Sequence, residues 1–252
     1  MKRWCTAWGV GLLVPLAAAA CTSPAVETAP RPDPVLNRPG EVKKIVDPGA
    51  VAGAKNVAGV FDFYVLSLSW SPQHCATRRS PRPDDPQCGS GRSFGFIVHG
   101  LWPQYVAGYP ESCAVPQPVA PELAQRMLRI MPGLRLIQHE WDKHGTCSGL
   151  PAEQYFSQIE TLWAGLQIPS RYLMPAEPLH TSAMALRAEL LAANPTLPAD
   201  GSSIAVVCQG EQLQELRLCF GKDFRPRACT ATVADSCPAP GFVIRPVVPG
   251  PK

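Results

Sequence analysis

Between His139 and Cys147 the chain reads His-Glu-Trp-Asp-Lys-His-Gly-Thr-Cys, and four of these residues can move or stabilise charge: His139, Glu140, Lys143 and His144. If the stretch is helical, Glu140 and His144 stand four apart, as do His139 and Lys143. Such pairs lie on adjoining parts of one helix surface. Two imidazoles, a carboxylate and an ammonium then reach one small anion. Gly145 allows a break in the helix and Cys147 offers a covalent anchor. Two histidines in one site can divide acid and base work, because imidazole titrates near neutral pH. A lysine beside them favours an anion, and a carboxylate can hold a proton or orient an imidazole. The set suits phosphoryl transfer from an internal nucleophile. One histidine takes a proton, another gives one to the leaving oxygen, and the lysine stabilises the charged phosphorane. RNA carries such a nucleophile in its 2′-hydroxyl and DNA does not.

The rival chemistry is zinc hydrolysis, whose His-Glu-x-x-His motif spaces its histidines by four. Here they are five apart, which turns them about 140° from each other on a helix. Lys143 between them would repel a cation. The motif therefore predicts no metal and no cofactor. Any single histidine is more often structural than catalytic, but a cluster of four such groups beside a Trp is costly to keep without a role.

The stretch must be held against a second histidine. Phe61 to Trp70 alternates as a strand, with Phe61, Phe63 and Val65 on one face and Leu66, Leu68 and Trp70 on the other after a shift, as a bulge would produce. Phe94 to His99 reads as a second strand, apolar on both faces and hence central, delivering His99 at its C-terminal end before Gly100-Leu101-Trp102-Pro103. A loop with Tyr105, Tyr109 and Cys113 follows, and Trp102, Tyr105 and Tyr109 are candidates to stack bases of a single strand. Helices are predicted from Pro121 to Met131, over Ala152–Leu166 and over Ala183–Ala193. Ser203–Cys208 and Leu213–Phe220 read as a hairpin that brings Cys208 near Cys219. The whole predicts an α+β fold, a central antiparallel sheet with helices packed against it, in a single disulfide-stapled domain.

Of 252 residues 46% are hydrophobic, so a core needs no metal to support it, and 29 prolines imply ordered loops or tails. The formal charge of +3 includes Lys2 and Arg3 of the leader, without which it is +1. No general polyanion-binding surface follows from that, and any such site must be local. Residues 1–21 read as an export signal: a basic start, an apolar run from Val10 to Ala20, then Cys21. Cys21 resembles a bacterial lipoprotein acceptor, and the plainer reading is cleavage near Ala20. Residues 22–59 form a Pro/Ala-rich tether, 60–225 the domain, and 226–252 a Pro-rich tail that cysteines can staple to it. Eight cysteines remain outside the leader, an even count that predicts disulfides in an exported chain. Cys75 and Cys88 flank one surface loop, and Cys229 and Cys237 lie in the tail.

Phe96-Ile-Val-His-Gly-Leu-Trp-Pro103 and His139–Cys147 resemble the two active-site motifs of the ribonuclease T-two family, the Rh/S-type acid ribonucleases. Leu68-Ser-Trp-Ser-Pro72 followed by Cys75 is similar to that family's first strand and turn. The resemblance covers about residues 61–220. It implies an endoribonuclease that cuts single-stranded RNA, not DNA, through a 2′,3′-cyclic phosphate, a phosphorus–oxygen lyase step, and then hydrolyses it to a 3′-phosphate without metal. Residue by residue, it implies His144 as general base, His99 as general acid and His139 as the phosphate-binding histidine. Glu140 and Lys143 stabilise the pentacovalent state, and Trp102 sits at the base site. Cys113–Cys147 is the bridge that ties the second motif to the preceding loop. Cys208 is then expected to pair with Cys219, Cys75 with Cys88 and Cys229 with Cys237. His74 falls where an aromatic is common and is read as a loop residue, and His180 as a surface or structural one. The expected protein is a monomer, exported to the periplasm or cell envelope (lipid-anchored if Cys21 is modified) or secreted. The alternative is a catalytically weak RNA-binding or cell-surface interaction protein on the same fold. Retention of both histidine motifs favours the enzyme.

Overall fold

Strand β1 (Phe63–Trp70) is buried along its entire length and has structure on both faces. A computed structural model describes residues 56–248 apart from 79–83, 90, 92 and 116. The expected leader and nearly all of the tether lie outside the described residues. Period-two alternation sends Tyr64, Leu66, Leu68 and Trp70 into the main core. Phe63 and Val65 point the other way, into a smaller cluster with Ala205, Cys219 and Val233.

On one side of β1 runs β2 (Phe96–Gln104), and on the other β5 (Gln212–Phe220), both antiparallel. β4 (Ile204–Gln209) pairs with the far side of β5 as the predicted hairpin. The short strands β3 (Leu179–Thr181) and β6 (Phe242–Ile244) complete the sheet in the order β2-β1-β5-β6-β3. The sheet is antiparallel except for one parallel pairing, Gln212 with Val243.

Helices cover the face that carries Leu66 and Leu68. α1 (Ser71–Ala76) follows β1 directly, and α2 (Pro121–Met127) begins on a proline whose missing N–H costs a helix start nothing. α3 (Leu134–Lys143) buries Ile137, and α4 (Ala152–Gly165) buries Tyr155, Phe156 and Ile159. The Tyr155 hydroxyl donates to the Leu101 carbonyl at 2.8 Å, joining α4 to β2. α5 (Ala183–Ala193) is capped by Ser182, whose side chain accepts from the Ala185 amide at 3.1 Å. Among the described residues no helix is long and apolar enough to cross a membrane.

Several expectations need correction. β2 does not end at His99 but continues through Trp102 to Gln104, and it lies at the end of the strand order, not in the centre. Its residues read as central because Ile97 on one face and Val98 and Leu101 on the other are all buried. α2 stops at Met127, short of Met131. Two pairings also differ: Cys208 bonds Cys237, and Cys219 bonds Cys229. In the hairpin Cys208 stands opposite Leu213, whereas the Cys219 amide reaches Ser203 at the other end of β4. The two sulfurs are therefore at opposite ends of a strand pair. The segment after Phe224 turns back along β4, with Cys229 N–H on the Ser202 carbonyl and Ser236 N–H on the Val206 carbonyl, and meets each cysteine where it lies. Cys75–Cys88 and Cys113–Cys147 form as expected.

Candidate active site

His99 stands at a β-bulge. Ser67 of β1 pairs with Gly100, and the next residue, Leu68, pairs with Val98, so His99 is the extra residue of β2. A bulge re-aims side chains and is common beside active sites. Here it keeps Val98 in the core while Gly100 and Trp102, on the other side of the bulge, pair with Ser67 and Val65 on the opposite face. The sequence placed the shift in β1; the irregularity lies in its partner.

The opposite wall is the end of α3. Glu140 is 1% exposed, and its carboxylate accepts a 2.7 Å hydrogen bond from Trp102 Nε1. Glu140 Oε1 lies 3.6 Å from His99 Nε2. Gly100 leaves the room for this: a Cβ there would run into Glu140 Oε2 and Trp102 Nε1. The helix ends at Lys143, and His144 is its C-cap, with its amide still bonded to the Glu140 carbonyl at 3.0 Å. A tight turn, Gly145–Cys147, follows. His144 thus keeps the helical bond to Glu140 and lines the same cleft, as the four-residue spacing predicts.

The loop before α2 is fastened to this corner. Cys113 bonds Cys147, Ser112 N–H meets the Lys143 carbonyl at 2.8 Å, and Cys113 N–H meets Thr146 Oγ1 at 3.2 Å. Tyr109 is thereby held with its ring centroid 5.9 Å from that of His144 and 5.6 Å from Lys143 Nζ. Both catalytic-candidate imidazoles pack on Trp102, with ring centroids 5.2 Å away for His99 and 5.4 Å for His144.

These residues line one cleft of about 640 Å³, the size of a small-ligand pocket. His99, Trp102, Tyr109, His139, Glu140, Lys143 and His144 all face it. His139 is exposed there. Tyr105 does not line it; its ring packs against the main core. His180 sits exposed on β3, and His74 lies in the last turn of α1 beside Arg78, at 3.3 Å.

The cleft biases its ionisable groups in opposite directions. Burial, then the charges of Lys143, His139 and His99, push the His144 imidazolium down to about 3. Among the described residues its buried Nδ1 has no hydrogen-bond partner. Burial also opposes a charge on His99, but a hydrogen bond to Glu215 and the carboxylates of Glu140 and Glu215 outweigh it, and the net shift is upward. Burial lifts Glu140 to about 7 against the pull of His99, Trp102 and Lys143. One imidazole is thus held neutral and the other favours its proton.

Two residues absent from the predicted site stand in the cleft. Glu215 of β5 accepts from or shares a proton with His99 Nδ1 at 3.2 Å, and Arg217 clamps the other oxygen of Glu215 through Nε at 2.9 Å and Nη2 at 2.7 Å. The signal was two charges at alternate positions of a largely apolar strand, Leu213 to Phe220, which puts both on one face. Thr232 and Val233, from the segment read as a tail, complete the wall. Among the described residues no group of three or more His, Cys, Asp or Glu is arranged to hold a metal.

Residues 61–229 match the model of the ribonuclease T2 family. A ribonuclease of Aeromonas hydrophila is 43% identical over 118 residues, covering 47% of this chain and 52% of that protein. A probable ribonuclease of Haemophilus influenzae is 39% identical over 131 residues, 47% and 48% of the two chains. The chain therefore spans about half the length of these relatives. Among solved structures, RNase NT in complex with 5′-AMP superposes with a TM-score of 0.58 at 23% identity, over 75% of this chain and 99% of that one. At that identity the likeness speaks for the fold.

Proposed function

The chain belongs to the ribonuclease T2 family, and on that premise we propose that it is a metal-independent endoribonuclease acting on single-stranded RNA. The observation that carries the reading is the opposed charge preference of the two imidazoles against Trp102. His144, kept neutral, takes the proton of a 2′-hydroxyl. The freed O2′ attacks phosphorus, the bond to the 5′-oxygen breaks, and His99 gives that oxygen its proton. A 2′,3′-cyclic phosphate and a 5′-hydroxyl result. In the second step water attacks phosphorus, His99 takes its proton, and His144 returns one to O2′, leaving a 3′-phosphate.

The charges that depress His144 are those a phosphate would neutralise. Lys143, His139 and His99 all repel an imidazolium there. An anionic phosphodiester among them cancels that repulsion and raises the basicity of His144 once substrate is bound. Lys143 and Glu140 then meet the extra charge of the phosphorane, Glu140 as a proton-sharing group poised near neutrality. Tyr109, exposed beside His144, is the available stacking surface for a base.

We read the protein as exported, a reading that four disulfides support. Periplasm, envelope or medium, a lipid on Cys21, and action as a monomer are further parts of the proposal. The test is cleavage of a defined dinucleotide in excess EDTA. The expected products are the cyclic phosphate first and the 3′-phosphate later, with DNA of the same sequence intact. Cleavage of DNA, or loss of RNA cleavage in EDTA, overturns the reading.

A further inference from the structure

We propose that Glu215, clamped by Arg217, is the positioning residue of the acid His99: it holds the proton on Nδ1 and leaves Nε2 to serve the leaving oxygen. The inference rests on His99 acting as the proposed acid.

The geometry divides the carboxylate in two. Oε1 of Glu215 meets His99 Nδ1 at 3.2 Å, while Oε2 receives both Arg217 nitrogens. With His99 on one oxygen and Arg217 on the other, the carboxylate is held at both ends, and charge-assisted bonds favour its ionised form. Burial works against the ionised form of Glu215, which is only 5% exposed, but His99 and Arg217 prevail and hold it below its usual value. An ionised, oriented carboxylate at Nδ1 leaves His99 one way to lose a proton, through Nε2. After that transfer the neutral ring still has Nδ1–H on Glu215 and a lone pair on Nε2, the form needed to accept a proton from water in the hydrolysis step.

The sheet makes room for the pair. His99 is on β2 and Glu215 on β5, with β1 between them, so the two backbones are roughly 9–10 Å apart. Ser69 pairs with both Ile97 and Glu215, and Ser67 with both Gly100 and Arg217. The two residues of β1 that face this gap are serines, both buried, and add no bulk above the strand. A larger side chain at either position would stand between the imidazole and the carboxylate.

Other charges face the same ring: Glu140 from α3, Arg217 from β5, His74 from α1 and His144 at the end of α3. A Glu215→Gln protein leaves those groups in place and removes the Glu215 charge together with the oxygen that Arg217 holds. In that variant the side chain keeps its shape and an oxygen for Nδ1–H but loses its charge. The experiment is an NMR titration of the His99 ring together with kcat and KM against pH on a dinucleotide. The expected result is a lower His99 midpoint, a basic limb of kcat moved to lower pH, a kcat loss of about tenfold or more, and a KM changed by less than about twofold. Glu215→Asp keeps the charge but retracts it, and is expected to fall between wild type and Glu215→Gln in midpoint and kcat. It also serves if the Gln variant does not fold. A loss of kcat in either variant with the His99 midpoint unmoved would reduce Glu215 to a packing residue and overturn the proposal. The ring titration is independent of turnover: if the wild-type protein failed to cleave RNA, the proposed function would fall, while an unmoved midpoint is what would sink the Glu215 pair.

Discussion

The indole of Trp102 donates to the buried carboxylate of Glu140 at 2.7 Å, so the strand that carries one imidazole is tied to the helix that carries the other. Trp102 thereby acts twice. Its ring packs on both histidines, and its N–H fixes the group that stands between α3 and His99.

Replacing Trp102 by Phe keeps the ring and removes the donor. Glu140 is then buried with one fewer partner, and its pKa is expected to rise above about 7 because the lost hydrogen bond lowers it. Stability should fall by about 1–3 kcal/mol in urea unfolding at neutral pH. Unchanged stability would mean that water replaces the indole.

Gly100→Ala places a methyl group against Glu140 and Trp102. The expected cost is about 1–3 kcal/mol, with cleavage reduced more than overall stability requires. A fully active, stable Gly100→Ala protein would show that the carboxylate can relocate.

His144 gives stability a pH dependence with a definite sign. Its folded pKa is depressed from 6.5 to about 3, so below 6.5 the unfolded chain binds a proton that the folded chain refuses. Stability is therefore lost as pH falls from about 6.5 toward 3. His144→Phe should flatten that limb, which thermal unfolding across this window measures. An identical slope in the variant would assign the acid limb to other groups.

His99→Ala and His144→Ala should each lower kcat by about 10²–10⁴-fold, the range of a positioned acid or base. His139, exposed at the cleft, should act mainly on KM when changed to Ala. Near-normal kcat for either of the first two variants would reassign the roles.

Removing the Cys113–Cys147 bridge by a double change to Ser frees a loop of 34 residues' separation, worth about 3–4 kcal/mol in chain entropy. KM should rise as well, because Tyr109 and Lys143 are held by that corner. Unaltered KM at reduced stability would confine the bridge to a structural role.

The later helices, the hairpin and the clustering of the second histidine motif were legible because each follows from local order. Ala183–Ala193 and the motif 139–147 needed only the residue types and their spacing. Less was visible where two distant segments meet. The His99 bulge depends on register with β1, Glu215 reaches His99 only across a serine-lined strand, and Cys208 finds Cys237 only when the tail returns along β4. Tyr105 has the composition of a base-stacking residue, yet packing against the core claims it.

By itself the sequence determined which groups carry protons, that two histidine motifs must converge, and that the second motif points to an anion. Side-chain chemistry and short-range spacing contain that much. Tertiary structure decided how the protons are biased. His144, at the end of its helix, is buried where neighbouring positive charges keep it neutral, while His99 is displaced by a bulge toward two carboxylates that favour its charge. The physical reason is that a pKa depends on desolvation and on charges in space, and the sheet, not the chain order, sets both.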